Sequence, residues 1–155
     1  MADEVVDRFT KCLAGISQGE IENPRHHRIY ATVPREKIVD AAKALHKEFN
    51  TRYLCVISAR DTGNGKIELV YPFALEKEQR LLVLKTMVPI SDPNIDTITS
   101  IIPGAELYER EAFEMLGVNF KGHPNMKILF LPDNWGDKGN PYRKDWVDPR
   151  KGGDA

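Results

Sequence analysis

The sequence predicts an α+β domain: a mostly antiparallel sheet with packed helices, followed by an extended C-terminal tail. Three observations carry that reading. Apolar residues recur at helical spacing in three separate stretches. Between those stretches lie short runs rich in β-branched and aromatic residues, punctuated by Gly, Pro and Asn. Beyond Lys121 the period is lost, which divides the 155 residues into a domain over 1–120 and a tail over 121–155. A chain that is 41% hydrophobic and 29% charged has the composition of a globular domain, not of a disordered one.

Taken in order, residues 3–16 read as a helix, with Val5, Val6, Phe9, Cys12, Leu13 and Ile16 on one stripe and Gly15 and Gly19 at its end. Residues 20–33 are extended, the strand being Arg28 to Val33. Pro34 opens a second helix, where its missing N–H costs nothing, and Ile38, Ala41, Ala42, Leu45 and Phe49 set its buried face. Tyr53 to Ser58 is expected as a strand from its aromatic and β-branched content. Asp61 to Gly65 is a hairpin turn in which Asn64-Gly65 suits positive φ angles. Ile67, Leu69, Tyr71 and Phe73 alternate along a half-buried strand, with Pro72 marking an edge or bulge. Arg80 to Val88 is apolar on both faces and is therefore central. A Pro/Asp loop precedes a third helix from about Gly104 to Leu116, stopped by Gly117.

The tail holds four prolines and five glycines, yet it also holds both tryptophans, Trp135 and Trp146, with Phe130 and Tyr142. Disordered segments are poor in aromatics, so this one is expected to lie against a surface. Its length favours a partner chain over its own domain.

Charge and ligand counts exclude several classes of function. Twenty-two basic and 23 acidic residues give a net charge of −1 without a long basic run, which argues against nucleic-acid binding. Cys12 and Cys55 are too few for a thiolate cluster and sit in apolar runs, so both are expected as buried free thiols. His26 and His27, adjacent in an extended chain, would point apart, and His46 is a lone surface position, so no metal site is expected. The N-terminus lacks a basic-then-apolar leader, and no window is long and apolar enough to span a bilayer. The expectation is a cytoplasmic chain that does not insert into the membrane.

One residue breaks the pattern of the third helix. On a helical wheel Glu109 falls among Ala105, Ala112 and Phe113, while Glu106, Arg110, Glu111 and Glu114 fall on what should be the solvated side. A buried carboxylate needs a cation or N–H donors, or it takes up a proton. Two readings follow: a structural carboxylate, paired with Arg143 or Lys144 of the returning tail or capping the tail's backbone, or a general acid/base with a raised pKa. The second would make the chain a small stand-alone acid/base enzyme using Glu109 and His123.

The run Glu109-Arg110-Glu111-Ala112-Phe113-Glu114-Met115-Leu116-Gly117, followed by Phe120-Lys121-Gly122-His123-Pro124, resembles the signature of the C-type subunit of respiratory complex I. The same family occurs in membrane-bound energy-converting [NiFe] hydrogenases. Pro103-Gly104-Ala105 upstream, and Leu131 to Trp135 and Pro141 to Trp146 downstream, match its flanking motifs. The chain departs from the family at Lys127-Ile128, where an Arg-Arg pair is usual, and at Trp146, where tyrosine is common. Its brevity favours the hydrogenase branch.

The resemblance implies an accessory subunit with no catalytic, cofactor-binding or metal-binding residues of its own. Its expected place is the cytoplasmic side of the membrane, held peripherally beside a large D-type subunit and a small B-type iron–sulfur subunit. Iron–sulfur clusters, and nickel–iron in a hydrogenase, would belong to those partners. The expected partner interface comprises Glu109, Arg110, Glu111 and His123 from the helix motif. Trp135, Tyr142, Arg143, Lys144, Asp145 and Trp146 supply the rest from the tail.

Overall fold

The structure, a computed structural model, describes residues 3–149. Helix α1 (Glu4–Cys12) begins where Asp3 accepts hydrogen bonds from the Val5 and Val6 amides. The same carboxylate pairs with Arg80 at 2.5 Å, tying the start of α1 to a distant strand. Strands β1 (Gln18–Arg25) and β2 (Arg28–Thr32) form an antiparallel hairpin turning at His26-His27. A short 3-10 turn leads into α2 (Ile38–Phe49), which buries Ile38, Ala41, Ala42 and Leu45 as its spacing predicts.

Strands β3 (Ser58–Asp61), β4 (Lys66–Leu75) and β5 (Arg80–Pro89) complete a five-stranded sheet of order β1-β2-β5-β4-β3. Only the β2–β5 pair is parallel; the other three are antiparallel. β5 lies at the centre, as expected of a strand apolar on both faces. Ile29, Ala31, Ile67, Leu69, Tyr71, Phe73, Leu82, Leu84 and Val88 meet the helices in one core. β6 (Asn94–Asp96) pairs in parallel with β7 (Asn119–Lys121), bracketing helix α3 (Ala105–Leu116). Gly117, at φ 80°, ends α3, and its N–H bonds to the Phe113 carbonyl.

Four local expectations need correction. Tyr53 to Ser58 is not a strand: Leu54 makes one isolated bridge to Phe73, and pairing starts only at Ser58. The cause is Pro72. The Cys55 amide donates to the Pro72 carbonyl, so the ring nitrogen faces that same side, where it has no N–H to extend the ladder. Cys55 is consequently exposed, not buried, and Cys12 is half-buried. In the hairpin the positive φ angles fall on Gly63 and Gly65, not on Asn64. His46 is half-buried, its Nδ1 2.9 Å from the Thr51 carbonyl oxygen, where a surface position was expected.

Candidate functional site

Helix α3 holds two carboxylates that are buried for different reasons. Glu109 is fully buried, as the wheel predicts. Neither Arg143 nor Lys144 reaches it, however. One carboxylate oxygen accepts the Ile98 amide at 2.9 Å, and the other accepts the Thr97 hydroxyl at 2.5 Å. The Thr97 hydroxyl in turn accepts the Thr99 amide. Glu109 therefore helps to order the loop after β6, whose Thr97 amide also donates to the Lys121 carbonyl.

With hydrogen-bond donors but no guanidinium or ammonium beside it, burial pushes the Glu109 carboxyl up to about 7. The His123 ring approaches to 3.9 Å with its side chain only 1% exposed. His123 Nδ1 accepts the Asn125 amide, which leaves Nε2 to donate to the Glu106 carbonyl. Glu109 and His123 are thus together, but enclosed by the chain's own atoms. Both side chains, expected at a partner interface, are enclosed within this chain.

Glu114 is the residue that the wheel misplaces. It is buried, and its carboxylate accepts the amides of Leu129, Phe130 and Leu131. One turn earlier Arg110 donates to the carbonyls of Lys127 and Ile128. A cation and an anion four residues apart on one helix face thus grip the acceptors and donors of one passing strand of backbone. No wheel can foresee this, because the covering segment has no apolar period of its own. Within the gripped segment Ile128 and Phe130 turn outward, 44% and 64% exposed, while Leu131 packs at the margin of the core.

The tail then returns to the end of α3. Asn140 donates to the Phe113 and Glu114 carbonyls, and the Tyr142 amide donates to the Met115 carbonyl. Such side-chain and backbone donors satisfy carbonyls that a helix terminus leaves open. Arg143 lies 3.9 Å from Asp61 and forms a closer pair with Asp145, while the Lys144 amide donates to Asp61. These bonds hold the Asp61 carboxyl below the usual range. Trp135 stacks on Trp146 at 6.0 Å, each indole donating to a carbonyl within the tail. Glu111 is half-buried and lines a cleft of about 240 Å³ between β3 and α3, closed on one side by Tyr142. Of the expected interface residues, Arg110 is committed to the tail backbone, and only Tyr142, Lys144 and Asp145 are exposed.

Among the described residues no group of three His, Cys, Asp or Glu side chains is placed to hold a metal ion, and no helix is long and apolar enough to cross a membrane.

Fold and polar network together define a class: an α+β sheet domain carrying a long irregular tail that its own third helix anchors. The chain belongs to the family of the 30-kDa subunit of respiratory-chain NADH dehydrogenase, whose model matches residues 31–151. It is 33% identical to the C-type subunit of NADH-quinone oxidoreductase from Mycolicibacterium gilvum, an alignment covering 93% of this chain and 66% of that one. It is 35% identical to the C-type subunit of F(420)H(2) dehydrogenase from Methanosarcina mazei, covering 94% and 91%. The chain thus spans about two thirds of the length of the first relative and nearly all of the second. Among solved structures it resembles a chain of the membrane-bound sulfane sulfur reductase, an archaeal respiratory membrane complex. That likeness has a TM-score of 0.82 at 25% identity, over 96% of this chain and 89% of that one. A trypsin-resistant fragment of Nqo5 shares the fold, with a TM-score of 0.61 at 20% identity over 79% of this chain and 96% of the fragment.

Proposed function

We propose that this chain is a non-catalytic accessory subunit in the hydrophilic arm of a complex-I-like redox assembly. It sits between a large D-type subunit and a small B-type iron–sulfur subunit and supports electron transfer that is coupled to ion translocation. The observation that carries this reading is the grip of Arg110 and Glu114 on residues 127–131. It spends two charged side chains on fixing a segment that presents Ile128 and Phe130 outward. Ordering backbone so that Ile128 and Phe130 stay in water stabilises little in the chain alone. It makes sense as preorganisation for a partner. Redox centres are assigned to the partners, and attachment to the cytoplasmic side of the membrane is through them.

The names of the relatives support a quinone- or carrier-linked dehydrogenase as the parent complex over a hydrogenase. Brevity does not favour the hydrogenase, because the F(420)H(2) dehydrogenase subunit is covered over 91% of its length. The acid/base enzyme has the 3.9 Å approach of His123 to Glu109 in its favour. Against it, the carboxylate is fully buried, so a substrate has no route to it.

The test is recovery from the native membrane in mild detergent by a tag on this chain. Comigration with membrane subunits and with stoichiometric iron supports the proposal. A soluble, active 17.6 kDa monomer overturns it in favour of the enzyme.

A further inference from the structure

The five-stranded sheet has two faces, and the described residues cover only one. All three helices pack on the face that carries Ile29, Leu69, Tyr71, Phe73, Leu82 and Leu84. The opposite face should then be polar, because a sheet with one solvated face alternates apolar inside with polar outside. It is not. β4 presents Val70, Pro72 and Ala74 there, and β5 presents Leu81, Val83 and Met87. Val83 is only 3% exposed, yet it lies outside the core cluster that holds the other buried apolar side chains. Its cross-strand neighbours are Tyr30 on β2 and Pro72 on β4, so it is the centre of a second apolar strip.

The charges around that strip are asymmetric. Lys85 pairs with Glu22 at 3.1 Å and Arg60 with Glu68 at 2.6 Å, which neutralises those two acids. Arg28, opposite Arg25 at one end of the strip, and Lys66 at the other end are exposed. Among the described residues they have no acidic partner. An apolar centre with uncompensated cations at both ends has the anatomy of one half of an interface.

We propose that this open sheet face is a second docking surface, for a partner subunit with an apolar patch rimmed by carboxylates. The inference rests on the chain working inside an assembly, and it adds a contact remote from the tail. Charge decides the occupant. A second copy of this chain would bring Arg25, Arg28 and Lys66 against the same cations and would be repelled. A lipid surface is taken by protruding apolar groups, whereas in this strip Val83 is buried and only Met87 is exposed.

The test is made in the intact, detergent-solubilised complex, with a photoreactive phenylalanine analogue replacing Met87 and, separately, Phe130. Crosslinking of the Met87 position to an acidic segment of a stoichiometric subunit supports the proposal. Crosslinking from position 130 alone overturns it and leaves the assembly reading intact; so does capture at position 87 of lipid or of a second copy. Recovery of the chain without any other subunit sinks both readings together. A charge reversal, Arg28→Glu with Lys66→Glu, is expected to weaken retention of that subunit about tenfold at moderate salt while the isolated chain melts as before. Unchanged retention overturns the carboxylate rim. Val70→Glu, at an outward half-buried position, serves as the apolar counterpart.

Discussion

Residues 3–120 and residues 121–149 are held in place by different forces. The domain is joined by apolar burial: Phe9, Tyr71, Phe73, Leu82 and Leu84 are all fully enclosed in one cluster. The tail contributes only Met126 and Leu131 to the margin of that cluster. What fixes it is polar: Arg110, Glu114 and Asp61 hold its backbone, and its own Asn140 donates to carbonyls at the end of α3. Apolar burial is nondirectional and strong in sum. Hydrogen bonds at a wet surface are directional and contribute about 1 kcal/mol each. One region therefore resists unfolding, while the other is positioned precisely enough for a partner but can let go.

The largest expected effect separates the two regions directly. Phe73→Ala, in the sheet core, is expected to cost about 4 kcal/mol in denaturant melts of the full chain. Phe130→Ala, at 64% exposure, should change stability by less than about 0.5 kcal/mol. In the assembled complex the order reverses for recovery of subunits, because a buried aromatic anchor dominates an interface. Equal losses in the isolated chain would mean that the tail belongs to the core and that the comparison is wrong.

Glu109 tests the one place where the domain itself relies on polar contacts. Glu109→Ala leaves the Ile98 amide without an acceptor in the interior and should cost about 3 kcal/mol, from the orphaned donor and the cavity together. Its titration gives an independent measure. A carboxyl raised to about 7 in the native chain binds a proton there more readily than in the unfolded chain. Its stabilising contribution is fully present below the ordinary carboxylate range and is lost as pH rises through about 7. The lowered carboxyls of Asp3, Asp61 and Asp92 act in the opposite sense, their contribution being lost as pH falls through the acid range. Melting temperature followed from pH 5 to 8 should therefore fall in the wild type and flatten in Glu109→Gln. A parallel fall in both would assign the slope to another group.

The same division of forces explains what is legible in the sequence. The apolar stripes of α1, α2 and α3, the central place of β5 and the burial of Glu109 can all be read there, because burial imprints a period. The hydrogen-bond partners of Glu109, Thr97 and Ile98, cannot, since they follow β6, which like β7 is three residues long and without a period. His123 is legible beside it only through the acid/base reading. Glu114 is hidden for a related reason. Its burial comes from a segment whose backbone, not its side chains, makes the contact. Pro72 marks an interruption in any reading, but which neighbouring run it interrupts depends on the register of β4 against β3.

Within the tail the grip itself can be dissected. Glu114→Ala removes an acceptor shared by three consecutive amides, at a cost of about 1–2 kcal/mol confined to residues 127–131. Hydrogen exchange should quicken there with little change in the melting of the domain. Glu114→Gln keeps one carbonyl oxygen and should lose less. If exchange is unmoved in Glu114→Ala, Arg110 and the margin contacts of Leu131 are sufficient, and the anion is dispensable.

Among the residues that anchor the tail, the smallest effect is expected at Asn140, where the tail closes the end of α3. Its amide donates to the Phe113 and Glu114 carbonyls, but the first also accepts the Gly117 amide and Met115 is served by Tyr142. Asn140→Ala thus leaves only the Glu114 carbonyl without its donor, and water can reach a helix end. A loss below about 1 kcal/mol follows. The companion change is more severe although it lies only across the contact. A Cβ at Gly117 would come within 2.7 Å of the Asn140 side-chain oxygen, and the backbone there has φ 80°. Gly117→Ala should therefore displace residues 140–146 and strain the end of α3 at once. Combining it with Asn140→Ala removes the clash but not the strain. The double variant should recover protection of the returning tail, read by hydrogen exchange, without recovering the melting temperature. Recovery of both would show that steric contact with Asn140, not backbone conformation, is what requires glycine at this turn.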